Sequence, residues 1–151
     1  MMGALMKKLP TLTAAIGAIG LVISPCAAQT PAPVKRVQVQ GELVDTWCQV
    51  TGIMFALGTA HHQCAVWCAA GGIPVSIRTK ENDHYMVLRI EDANDSAADP
   101  KFIKIMSHQV SVDGELVERD GVKYLFVSKV LDDQGVVHMT HAENGIQPFG
   151  N

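Results

Sequence analysis

Between residues 75 and 130 the chain runs as paired apolar-polar alternations joined by tight turns, a pattern that admits little besides antiparallel β-structure. Residues 75–80 and 84–90 flank Glu81-Asn82-Asp83, and 109–118 and 122–130 flank Asp120-Gly121, a dipeptide suited to a two-residue hairpin turn. Upstream, 36–46 supplies another strand, in which Val37, Val39 and Leu43 alternate with Gln38, Gln40 and Glu42. Gly41 interrupts that strand and predicts a bulge or sharp bend, as a first strand needs in order to close a small barrel. The expectation is a mainly β domain over 36–135: a small five-stranded barrel of the oligonucleotide/oligosaccharide-binding (OB) type.

One helix is expected after the first strand. Thr59 reads as its N-cap, 60–70 as its body, and Gly71-Gly72 followed by Pro74 as its end. Between Cys48 and Gly58 the apolar residues Ile53, Met54, Phe55 and Leu57 read as an irregular loop. A polar acidic loop at 91–100 leads to a short helical turn around 101–106, and 136–140 reads as an edge strand before a tail ending at residue 151. An insertion after strand one, rather than after strand three, departs from the usual OB pattern.

The first residues read as an export signal. Lys7 and Lys8 precede an apolar run over 12–23 and the small residues SPCAAQ, with cleavage expected after Ala28. That run is short for a membrane span. Residues 29–35 follow as a Pro-containing linker. Lipid attachment at Cys26 ranks second, because Pro25 is a poor neighbour for it. The expected location is periplasmic or secreted. Losing Lys7 and Lys8 leaves ten of the 12 basic residues against all 15 acidic ones, a mature charge of −5. An acidic domain without a Lys/Arg cluster argues against nucleic acid as a partner.

Cleavage leaves three cysteines, Cys48, Cys64 and Cys68, so a single disulfide strands one thiol. In an oxidising compartment, a Cys48 bridge to Cys64 or Cys68 would staple strand one to the helix. Cys64–Cys68 is the poorest pair, one helical turn apart. Alternatively the cysteines hold a metal. Spacings of three and four put His61, Cys64 and Cys68 on one helical face, with His62 off it. His61 and Cys68 are about 10.5 Å apart along a regular helix, too far to share one ion. The single-ion sets are therefore Cys48/Cys64/Cys68 or Cys48/His61/Cys64; all four converge only if the helix begins after His62. Thiolates with or without an imidazole suit Cu(I) or Zn(II). Asp45 is expected to accept hydrogen bonds near the helix start more than to ligate.

The run G-x-x-x-D-x-x-C, then C-x-x-x-C-x-x-x-G, followed by two hairpins, resembles a family of small secreted bacterial proteins with OB-like barrels. Gly41, Asp45, Cys48, Cys64, Cys68 and Gly72 carry the resemblance, which covers 37–130. It implies secretion and a barrel, and brings no activity with it.

Three functions stay open on sequence. A non-enzymatic metal-binding protein uses the Cys/His cluster. A binding module for a protein, peptide or sugar uses the barrel face, with the cysteines as a staple. A thiol-disulfide redox protein needs a reactive cysteine, yet C-x-x-C is missing. No phosphate loop, nucleophile elbow, H-E-x-x-H or haem motif is present, and no catalytic residue is nominated. Among the other residues, Trp47 and Trp67 are expected to cover the core beside the cysteines, and His84 and His108 to be solvated. Met139 and His141 share a face of the expected edge strand, with His138 opposite.

Overall fold

The computed structural model describes residues 30–54, 56–93 and 98–139. The expected signal segment and the tail, with Cys26 and His141, lie outside them. Five strands form a closed barrel: β1 (Val34–Asp45), β2 (Val75–Arg78), β3 (His84–Ile90), β4 (Gln109–Arg119) and β5 (Val122–Asp133). The order around the barrel is β1-β2-β3-β5-β4, and β4 closes it against β1. All pairings are antiparallel except β3 with β5. This is an OB-like barrel. The β4–β5 turn has positive φ at both Asp120 and Gly121, the geometry that the dipeptide predicts.

The long first strand makes closure possible. Its N-terminal part pairs with β4 as far as Glu42, and from Glu42 onward it also pairs with β2. The changeover falls beside Gly41, where an added Cβ would overlap the Arg78 carbonyl. Gly41 therefore marks a close approach of two backbones, with no register shift in β1. The register shifts lie instead in β3–β5 and β4–β5. Inside the barrel, Val39, Leu43, Val75, Ile77, Val87, Val110, Val112, Leu125 and Val127 form the core.

Among the described residues three helices decorate the barrel: the expected one after β1, the expected short turn near 101–106, and one that was not expected. The first two, α1 (Thr46–Thr51) and α2 (Thr59–Ala70), both lie between β1 and β2. At six residues α1 shows no apolar periodicity that a sequence reading would register; Asp45 starts it and Gly52, at φ 71, ends it. The third, α3 (Pro100–Lys104), follows β3 as a helix does in ordinary OB barrels, with Asp99 capping Lys101 N–H. Phe102 and Met106 from this region join the barrel core, as do Ala65 and Ala69 of α2.

Two boundary expectations need correction. Gly58, not Thr59, precedes α2; its φ of 58° and ψ of −132° suit glycine, and it offers no side-chain cap. Residues 136–139 carry no strand. The ladder ends at Gly135, whose carbonyl accepts from Gln109 N–H. Beyond it the His138 carbonyl accepts the Thr59 N–H at 2.9 Å, so this segment closes the start of α2 instead of extending the sheet. Among the described residues no helix is long and apolar enough to cross a membrane.

Candidate metal centre

The end of β1 organises the site. Asp45 is fully buried, and its Oδ1 accepts the Cys48 N–H at 2.8 Å, making it the N-cap of α1. The cap holds Cys48 in the first turn of α1, with its thiol turned inward. Opposite it, α2 buries His61, Ala65 and Ala69, spaced four apart along one face, and carries Cys64 and Cys68 half-buried on the flank. Ala65 and Ala69 let the helix lie close to the barrel, which brings its flank up to Cys48.

The three sulfurs converge. Cys48 Sγ lies 3.7 Å from Cys64 Sγ, which lies 3.9 Å from Cys68 Sγ. All three fall within 4.8 Å of one another, as a shared metal ion requires. They are free thiols; a disulfide would need an S–S separation of about 2.05 Å. Burial raises the Cys48 thiol pKa strongly, with the Cys64 contact and the Asp45 charge adding to it. Burial likewise raises Cys68, again helped by Asp45. Both therefore stay protonated at neutral pH, and a metal ion would have to displace protons from them. For Cys48 and Cys68 this rise is the opposite of the shift that a nucleophilic disulfide catalyst needs.

His61 stands apart from Cys64 and Cys68. Because α2 begins at Thr59, the arrangement in which all four donors converge does not occur. Nor does the Cys48/His61/Cys64 set. His61 instead joins Asp45 and Cys48, and these three offer donor atoms within 4.8 Å of one another. His61 Nε2 sits 2.9 Å from Asp45 Oδ2, both side chains having no exposed surface. Neither atom makes an aligned hydrogen bond. Burial lowers the His61 pKa, with Asp45 opposing that shift, so the ring favours its neutral form. Asp45 is thus both the cap that was expected and a candidate ligand.

The remaining nominated residues fall elsewhere. His62 Nδ1 contacts the Met106 carbonyl at 3.1 Å and ties α2 to the segment after α3. His84, expected in solvent, is half-buried and paired with Ser76 Oγ at 3.0 Å; His108 pairs with Asp133 at 2.8 Å. Trp47 and Trp67 do not cover the core: they are 52% and 69% exposed, because the residues facing inward on their helices are Cys48 and the His61/Ala65/Ala69 row. Sequence reasoning missed Glu42. Although it sits on the polar side of the β1 alternation, it is 2% exposed, because the start of α2 covers it. No local pattern signals that burial.

Comparison with protein-family models, with curated proteins and with solved structures finds no significant match.

Proposed function

We propose that this is an exported, non-enzymatic protein that binds a soft metal ion, Cu(I) or Zn(II), through Cys48, Cys64 and Cys68. One observation carries the reading: the spacing of the three sulfurs. Metal–sulfur bonds of about 2.3 Å set tetrahedral ligands about 3.8 Å apart, and the two measured pairs stand at 3.7 and 3.9 Å. Thiolate softness selects Cu(I) or Zn(II) over hard cations such as Mg²⁺ or Ca²⁺. Three sulfurs complete a trigonal Cu(I) site by themselves, whereas Zn(II) needs a fourth ligand. The N-terminal signal pattern supports export to the periplasm or beyond, where the metal or a partner protein would be met.

The test is anaerobic titration of the mature protein with Cu(I) against a competing chelator. One Cu(I) per chain is expected in the parent protein and none in Cys64→Ser, with far-UV circular dichroism unchanged. Full Cu(I) binding by a folded Cys64→Ser protein would overturn the reading.

A second reading rests on the short Cys48–Cys64 approach. A disulfide-donating partner could join these two thiols, their two electrons and two protons passing to the partner's disulfide, and leave Cys68 free. The protein would then be a stapled module whose barrel face binds a protein, peptide or sugar. Thiol counting on the periplasmic protein separates the two readings: three blockable thiols after metal removal, or one.

A further inference from the structure

We propose that the Asp45–His61 pair is a second metal position that shares the Cys48 thiolate with the thiol trio, so that the cluster holds two ions. This rests on the reading that the trio binds metal, and extends it to a dinuclear centre.

Gln49, on α1, stands beside the buried His61 ring. Gln49 Nε2 lies 2.8 Å from the Ala56 carbonyl and 3.3 Å from the Met54 carbonyl. It also lies 3.2 Å from His61 Nδ1, which holds the ring in place. His61 Nε2 faces Asp45 Oδ2, 2.9 Å away, with neither side chain exposed. Two fully buried polar atoms without an aligned partner, with Cys48 Sγ as the third donor beside them, mark a place that a cation would fill.

The surroundings match those of a metal-ligating histidine. Such a ring is usually held through its other nitrogen; His61 Nδ1 lies 3.2 Å from Gln49 Nε2. Asp45 is equally well held, since its Oδ1 is tied to the Cys48 N–H and only Oδ2 is left to ligate. Cys48 Sγ belongs to both three-donor sets, and a thiolate sulfur has the lone pairs to bridge two ions.

Charge balance points the same way. Once bound metal has displaced the thiol protons, three thiolates and one carboxylate carry four negative charges in a site where Asp45, Cys48 and His61 are buried. One divalent ion leaves two of them uncompensated; two divalent ions neutralise the cluster. The mixed N, O, S set suits Zn(II) better than Cu(I), so the second position should show with zinc.

The experiment is anaerobic reconstitution of the full mature chain with zinc alone, followed by desalting, metal analysis and native mass spectrometry. Two zinc ions are expected in the parent protein. His61→Gln and Asp45→Asn, the latter keeping the capping oxygen, should each hold one, and Cys64→Ser should also hold one, at the Asp45/Cys48/His61 set. A single ion in the parent protein overturns the dinuclear proposal and leaves the thiol site standing. No zinc at all overturns the dinuclear proposal, while the Cu(I) titration decides the thiol site by itself. Two ions retained in folded His61→Gln would also overturn it, placing the second ion elsewhere. The parent stoichiometry decides the matter even if a variant fails to fold.

Discussion

Glu42 and Asp45 stand three residues apart on β1 and solve the same problem in different ways. Both are buried, at 2% and 0% exposure. Each gives one oxygen to a backbone N–H at the start of a helix: Glu42 to Gly58 at 2.7 Å, Asp45 to Cys48 at 2.8 Å. Each keeps a second oxygen without a hydrogen-bond partner, turned toward a histidine. The similarity ends there. Glu42 Oε2 is 3.7 Å from His138, whose side chain is 45% exposed, and belongs to no three-donor set among the described residues. Asp45 Oδ2 is 2.9 Å from a His61 with no exposed surface, and Cys48 completes the set. A buried carboxylate beside a histidine is thus a clamp in one place and a candidate ligand in the other. The third donor, and the depth of the histidine, make the difference.

Breaking the comparison at its metal end should have the largest effect. Cys48 belongs to both donor sets, so Cys48→Ser should abolish binding of Cu(I) and of zinc. The loss should exceed the roughly 10–100-fold that removal of an outer partner costs. Isothermal titration of the two metals is the check, and retained affinity for both would dissolve the distinction between the two carboxylates.

At the other end the expected effect is on stability alone. Gly58→Ala places a Cβ at φ 58° against the His138 carbonyl. It should destabilise the barrel by about 1–3 kcal/mol, read from urea unfolding, while the metal content of the folded protein stays at the parent value.

Glu42→Gln sharpens the contrast through pH. Burial raises the Glu42 pKa, against the opposing Gly58 hydrogen bond and the nearby His138 and Arg78 charges. The folded state thus favours the protonated acid. Its stabilising contribution is full below the unfolded pKa near 4.5 and is lost as pH rises through the higher folded value. A glutamine keeps the Gly58 acceptor and carries no charge. It should therefore stabilise the protein near neutral pH by about 1 kcal/mol, and the gain should shrink toward pH 4. A loss of stability at pH 7 would mean that the charge on Glu42 serves the fold.

The smallest effect belongs to Trp67. Exposed as it is, Trp67→Ala should change unfolding free energy by no more than about 0.5 kcal/mol. A larger loss would restore the core-covering role that its position beside Cys68 suggests in the sequence.

The barrel was legible because period-two alternation and turn dipeptides are local signals, and all five strands begin and end within three residues of where they put them. The body of α2 was legible for the same reason, with Gly72 at φ 88 ending it as a glycine there should. The site was only half legible. Cysteine spacing on α2 named the three sulfurs, and helical rise correctly kept His61 away from Cys68. What spacing could not supply was the partner across the gap: Asp45 meets His61 because α1 reverses the chain in six residues and α2 returns over the end of β1. Glu42 was invisible for the same reason. Its burial is imposed by Gly58 and its neighbours, sixteen residues away, and no alternation within β1 records that.

The central claim is that three cysteine sulfurs converge to hold one soft ion. Copper-edge X-ray absorption on the anaerobically Cu(I)-loaded mature protein tests it most directly. The account predicts three sulfur scatterers in the first shell and no nitrogen or oxygen. A shell of two sulfurs, or one dominated by nitrogen and oxygen, would contradict it.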